Sequence, residues 1–478
     1  MSVTQPGRTP PGVPEVDATI TALVNRARAA QRAYERCSQE QVDDVVTAAA
    51  WAIVEPSRCR ELAELAVRDT GLGNVDDKVR KNRRKTMGLL RDLHGARSVG
   101  VIAEYPDQGI VEIARPVGVV GAIVPSTNPA ATPINKILNA LKGRNSIILS
   151  PSPKGYGTCA RLLQFVHAEL DRVGAPRDLV LQLPAPVTKE LTEALMRQVD
   201  LVVATGSQSN VRAAYASGTP AIGVGTGNVP VIVDASADLA DAAARIAASK
   251  CFDYATSCSS ENSLVILDAV YRDVLAALAG QGGVLLTAEE KAQLEATMWV
   301  HGKLSPKIVA KSAPEIARIA GLTRPVFEHA RFLLVEETGI GREYPYSREK
   351  LSPVLAIYRA PDFNAACDTT RRLLVSQGAG HSCGIHTRDD GHVLRLGLEL
   401  PVCRVIVNQA HALATGGSFD NGLPFSLSMG CGTWGRNSIS DNLNYRHFLN
   451  ITRIARTIPP VEPSEDELFG RYRSKHGI

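Results

Sequence analysis

The segment Phe252-Asp253-Tyr254-Ala255-Thr256-Ser257-Cys258-Ser259-Ser260 holds the residue best suited to covalent chemistry. Cys258 lies among small polar residues just ahead of Ser263–Leu267, a β-branched run that reads as a strand. A nucleophilic thiol needs access and nearby backbone donors, and a loop entering a strand offers both. A lone cysteine is otherwise a small buried hydrophobe, and Cys251, at the end of an apolar helical stretch, exemplifies that use. The second chemical position is Asn128, in Ile123-Val124-Pro125-Ser126-Thr127-Asn128-Pro129, directly after a strand. Ligands of α/β folds bind at the carboxyl ends of strands. An amide held there by flanking prolines could donate to a developing oxyanion, a contribution on the order of 10²–10³ in rate. It could equally close its own backbone as an Asx-turn.

A third position is Val202–Asn210, which reads as strand, then Thr205-Gly206-Ser207, then helix. Helix N-terminal amides attract anions, so this turn is a seat for a pyrophosphate. The nearby Gly223-Val224-Gly225-Thr226-Gly227 has part of a dinucleotide fingerprint but lacks its last glycine spacing, and it leads into a strand rather than a helix.

The elements that must position these residues follow from periodicity. From Asp17 to His94 the pattern is helical, with Val42, Val45, Val46, Ala49 and Ile53 on one apolar face and Gly71 and Gly73 as C-cap punctuation. The basic run Lys78–Lys85 keeps an apolar seam through Val79, Thr86, Leu90 and Leu93, which favours a solvated helix face over a nucleic-acid patch. Pro106–Gly109 then separates two extended runs, Val99–Ala103 and Ile110–Ala114, as a protruding hairpin. Between Val117 and Asp234, strands at Val119–Val124, Ser146–Leu149, Leu179–Leu183, Leu201–Ala204 and Val231–Asp234 alternate with helical segments, predicting a parallel sheet covered by helices. A second α/β region has strands at Ser263–Leu267, Phe332–Val335, Val354–Tyr358 and Arg404–Asn408. Thr415–Trp434 is glycine-rich and irregular, and Tyr445–Arg456 reads as a final strand.

At 478 residues the chain is long enough for two or three domains. A net charge of +4, with 21% charged residues, argues against a dedicated nucleic-acid binder. The nine cysteines form no C-x-x-C pair, which suits reduced thiols better than disulfides or a structural zinc, so no metal is expected. The N-terminus shows no secretory pattern, and no apolar run reaches the ~20 residues of a membrane span, so a soluble cytoplasmic protein is expected.

Together these segments resemble the aldehyde dehydrogenase superfamily, specifically its coenzyme A-acylating branch. The resemblance runs from Asp17 to Arg456 and is strongest at Val124–Pro129, Thr205–Ser207, Gly223–Pro230, Phe252–Glu261, Glu349–Val354 and Gly430–Ser438. The ending Asn442–Arg453 with Pro459-Pro460-Val461-Glu462-Pro463 is similar to the acylating sulfoacetaldehyde and succinate-semialdehyde dehydrogenases. The resemblance implies that Cys258 is the nucleophile, and that Asn128 forms an oxyanion hole with the Cys258 amide. It also implies that Gly206 and Ser207 seat the pyrophosphate and that Glu349 holds the nicotinamide ribose; Ser150, Ser152, Lys154 and Gly225 complete the implied cofactor set. The implied architecture is α/β, with two Rossmann-like parallel-sheet domains and a β-hairpin oligomerisation element. Its cofactor-binding domain comprises 1–97 and 117–227 with 409–438, and its catalytic domain 228–408. The oligomerisation element is 98–116 with 442–456, and 457–478 is a C-terminal tail.

Two departures bear on the reaction. Hydrolytic members carry a glutamate base where this chain has Val224, and valine cannot activate water. An acyl-enzyme should then await a stronger nucleophile, and the coenzyme A thiol fits. Glu261 is the alternative base. NAD-selective members often place a glutamate where this chain has Pro153, beside Lys154, which favours NADP over NAD. Arg436 offers a planar fork for a sulfonate or carboxylate tail, or else is a surface or interface residue, and His381 lines the same cavity or is a core or surface histidine. The rival readings are a hydrolytic enzyme, an acyl-phosphate reductase and a non-catalytic binding protein. The hairpin and the last strand have no obvious partners within a monomer, so a homodimer or homotetramer is expected.

Overall fold

The β-branched runs between Val117 and Asp234 form a sheet in the computed structural model, which describes residues 13–478. The Pro- and Gly-rich lead-in lies outside the described residues. Five parallel strands stand in the order Val180–Gln182, Ser146–Pro151, Val119–Val124, Leu201–Thr205 and Ala221–Val224. Val119–Val124 is central and buried along its whole length, as parallel strands covered on both faces require. Ala221–Val224 was hidden in the sequence by its shortness and by the glycines that follow it. Helices Gln39–Val54 and Tyr156–Arg172 cover this sheet, and Val42, Val45, Val46, Ala49 and Ile53 are all buried in its core.

A seven-stranded parallel sheet follows, in the order Gly283–Leu285, Phe332–Glu336, Val354–Ala360, Glu261–Leu267, Val229–Val233, Cys383–His386 and Val405–Val407. Cys383–His386 and Gly283–Leu285 escaped the sequence reading because each is four residues or fewer. The loop carrying Cys258 joins helix Leu239–Cys251 to strand Glu261–Leu267, at the amino edge of that sheet.

Two expectations are corrected. The hairpin and the final strand do have partners within the chain, namely each other. Ile110–Pro116 pairs antiparallel with both Gly100–Tyr105 and Leu449–Ala455, in a register running from Leu449↔Pro116 to Ala455↔Ile110. The final strand is shorter than expected because Tyr445–Phe448 is a 3₁₀ turn. The basic run is likewise no solvated face. Lys78, Lys81 and Lys85 recur at helical spacing on the inward side of helix Val75–Leu93 and are only 3%, 4% and 7% exposed, whereas Arg80 and Arg83 face outward.

Another lysine is buried beneath the central strands. Lys136 donates to the Ile123 carbonyl at 2.7 Å and the Val203 carbonyl at 2.9 Å, tying helix Ala131–Lys142 to two neighbouring strands. Burial pushes its ammonium down to about 7. Between that value and the ordinary lysine value the unfolded chain binds more protons than the folded one, so this group makes stability rise with pH across the window. In Lys136→Met the gain in urea-unfolding stability between pH 7 and pH 9 should be smaller than in the wild type. An identical gain in the two proteins would refute this account of Lys136.

Candidate active site

Cys258, Asn128, Gly206, Ser207, Gly225 and Glu349 all line one cavity of about 360 Å³. The two parallel sheets and the glycine-rich 412–429 segment enclose it, with Leu427 and Met429 as apolar wall. Cys258 is half-buried at its floor. Gly227 passes against the nucleophile loop so closely that a Cβ there would stand 2.3 Å from the Cys258 carbonyl oxygen. Ser207 caps helix Gln208–Ala216, its hydroxyl accepting from the Asn210 amide at 3.3 Å.

Asn128 is oriented by a group that sequence reasoning missed. The Lys81 ammonium donates to its Oδ1 at 2.8 Å, which fixes Nδ2 as the donor end, where it bonds weakly to the Thr127 hydroxyl at 3.4 Å. Lys81 also donates to the Asp253 carboxylate at 2.5 Å and to the Thr256 hydroxyl at 3.0 Å. Lys78 joins the same carboxylate at 3.1 Å and the Thr127 carbonyl at 3.3 Å. Asp253 also accepts from the Asn74 amide at 3.0 Å and the Thr256 hydroxyl at 2.7 Å. Burial works against ionisation of Asp253, but Lys81 and Lys78 outweigh it and hold the carboxyl below its ordinary value. Asp253, Tyr254 and Ala255 take φ of 49°, 50° and 58°, a left-handed turn that costs roughly 1–2 kcal/mol per residue. Gly73 makes room for it: a Cβ there would lie 1.9 Å from Asp253 Oδ1.

Burial raises the Cys258 thiol far above its ordinary value, and the charge of Glu349 adds to the effect. Burial also pushes Glu349 up to about 8, with the nearby Gly227 backbone amide pulling the other way. Its Oε1 is buried without a partner, which fits a carboxylate shaped to accept from a ribose diol. Glu261, the alternative base, is absent from the lining; it accepts from the Ser249 hydroxyl at 2.5 Å and the His411 amide at 3.2 Å.

Several expected residues stand elsewhere. Arg436 is exposed, in a left-handed conformation with φ of 56°, on a neighbouring cleft that it lines with Tyr215 and Trp434. His381 is buried outside the lining, its Nδ1 2.8 Å from the Ser382 hydroxyl, and burial lowers it to about 3. Ser150 is buried, with its hydroxyl bonded to Thr192 at 2.9 Å, while Lys154 is exposed on the turn Pro153–Gly155. Arg404 was not foreseen either: it is buried and staples the glycine-rich loop by donating to Gly430, Ser440, His381 and Asn442.

Residues 13–288 match the aldehyde dehydrogenase family. This chain belongs to that family. It is 64% identical over 458 residues to a sulfoacetaldehyde dehydrogenase (acylating) of Cupriavidus necator, covering 96% of this chain and 93% of that one. The structure of an acetylating aldehyde dehydrogenase from Geobacillus thermoglucosidasius superposes with a TM-score of 0.90 at 37% identity, covering 95% of this chain and 99% of that one. A propionaldehyde dehydrogenase from Rhodopseudomonas palustris with bound propionyl-CoA gives a TM-score of 0.82 at 25% identity, covering 92% and 94%. The chain is therefore an aldehyde dehydrogenase of the coenzyme A-acylating branch.

Two outcomes follow from the geometry of this aldehyde dehydrogenase. Asp253→Asn would leave two buried ammonium groups without their counter-charge, and should destabilise the protein by about 3–5 kcal/mol in urea unfolding. A loss below about 1 kcal/mol would deny the carboxylate its central place. Glu349→Gln removes a charge present only above about pH 8. Alkylation of Cys258 by iodoacetamide should therefore match the wild type at pH 6.5 and be faster at pH 9. Equal rates at pH 9 would show that Glu349 does not act on the thiol.

Proposed function

We propose that this aldehyde dehydrogenase converts a short anionic aldehyde, sulfoacetaldehyde foremost, into its coenzyme A thioester through an acyl group carried on Cys258. The observation that carries this reading is Val224. It sits 4% exposed at the end of a strand, directly before Gly225 of the cavity lining, where the resemblance places the glutamate base of hydrolytic members. Glu349 is the one carboxylate of the lining, and its orphaned Oε1 suits a sugar hydroxyl.

Cys258 Sγ adds to the aldehyde carbon, and the oxygen takes up the charge. Asn128 Nδ2, with its Oδ1 fixed by Lys81, donates to that oxygen together with the Cys258 amide. The dinucleotide, when bound, would supply the hydride acceptor. Glu349, Gly206 and Ser207 would hold it, and Gly225 lines the same wall. Loss of hydride leaves a thioester on Cys258, which the coenzyme A thiol attacks, returning the cysteine sulfur. The balance is aldehyde, coenzyme A and NADP⁺ in, and acyl-coenzyme A, NADPH and a proton out. NADP is favoured over NAD because Lys154 is exposed and enters none of the ion pairs among the described residues, leaving its charge for a 2′-phosphate. Among the described residues no helix is long and apolar enough to cross a membrane, and a cytoplasmic location fits nine cysteines without a disulfide. Both outer strands of the hairpin sheet present free edges, which supports assembly into a homodimer or homotetramer.

With sulfoacetaldehyde and NADP but no coenzyme A, absorbance at 340 nm should rise by one stoichiometric burst and stop. Adding coenzyme A should start steady turnover to the thioester, and Cys258→Ala should show neither phase. Steady formation of free sulfoacetate without coenzyme A would overturn the acylating reading.

A further inference from the structure

The anionic tail of the substrate has lost its expected partner, because Arg436 stands outside the cavity that holds Cys258. Among the described residues, one cation does line that cavity. Lys85 is 7% exposed and shares the lining with Cys258, Asn128, Thr132 and Ser426. Its ammonium donates to the Gly416 carbonyl at 2.7 Å and more weakly to the Gly417 carbonyl at 3.3 Å. An ammonium has three donors, so beyond these two carbonyls one N–H remains, with the Phe425 ring centroid 5.3 Å from the nitrogen. Unlike Lys78 and Lys81, which share Asp253, Lys85 enters no ion pair among the described residues. The charged groups that bear on it are Lys81, Arg84 and Asp92, and the Asp92 carboxylate is already engaged by Arg91 and the Phe425 amide. A buried ammonium without a counter-ion is costly, and an incoming anion is what would relieve that cost.

The spacing fits a short substrate. Lys81 and Lys85 lie one turn apart on the same face of helix Val75–Leu93, a rise of about 6 Å. Lys81 reaches the Asn128 amide that marks the carbonyl end. Lys85, with the same reach, meets the cavity about one turn further along, which matches an aldehyde whose charged group is separated from its carbonyl by one or two carbons.

We propose that Lys85 is the specificity-determining residue for the anionic tail, receiving a sulfonate or carboxylate of the aldehyde through its free N–H while Gly416 and Gly417 hold the ammonium in place. The proposal rests on the reading that the substrate is an anionic aldehyde. Burial lowers Lys85 to about 7, so the vacant site need not hold a full charge until an anion enters.

The test uses binding alone. Ethanesulfonate, which has no aldehyde, should shield Cys258 of the wild type from iodoacetamide at pH 7, and neutral propionamide should not. Lys85→Arg should keep the protection. Lys85→Gln, compared with its own unshielded rate, should need on the order of 10–100-fold more ethanesulfonate, the loss of a hydrogen bond to a charged group. Lys85→Met serves if the glutamine variant does not fold. No selective shielding in the wild type, or equal shielding in Lys85→Gln, would overturn the proposal. If shielding follows Lys85 while sulfoacetaldehyde yields no coenzyme A thioester, the anion seat stands and the substrate assignment fails.

Discussion

The Asp253 carboxylate is the point at which three separate stretches of chain are tied together. Through Lys78 and Lys81 it holds helix Val75–Leu93, through Thr256 it holds the nucleophile loop, and through Lys81 it reaches Asn128 on the loop after the central strand. Burying two ammonium groups and a carboxylate is unfavourable before they meet, and their attraction does little more than offset that desolvation. What the cluster secures is position. Asn128 and Cys258 lie on loops of different sheets, and one ammonium bonds to residues on both sides of the gap. The left-handed turn at Asp253–Ala255 persists for the same reason: its carboxylate accepts from several donors at once, which over-determines a backbone that would otherwise relax.

Much of this was legible in the chain itself. Strand Val119–Val124 was read to the residue, because a short uninterrupted apolar run rich in valine and isoleucine between turn signals has few alternatives. Cys258, Asn128, Gly206, Ser207, Gly225 and Glu349 come together in one cavity, as resemblance to a family with this site implied. The basic helix was misread because periodicity treats lysine as an outward residue. Its partner Asp253 lies 172 residues from Lys81, and only the packed chain shows that the stripe meets a buried acid. Arg436 failed for a related reason. Motif alignment places it near the active-site loop, but its left-handed backbone turns it onto the next cleft. The pairing of strand Leu449–Ala455 with Ile110–Pro116 was likewise invisible, since strand partners more than 300 residues apart leave no local trace.

The same burial that builds the site also keeps it electrically quiet. Three ionisable groups line the cavity, and each is shifted toward its neutral form: the Cys258 thiol upward, Glu349 up to about 8 and Lys85 down to about 7. Charge in the working complex would therefore have to arrive with the ligands. A thiol held toward its neutral form reacts more slowly with oxidants and stray electrophiles while the site is vacant. Val224 extends the same logic to the second half-reaction. On the proposed mechanism, a valine there in place of a carboxylate would leave a thioester on Cys258 to await another thiol rather than water.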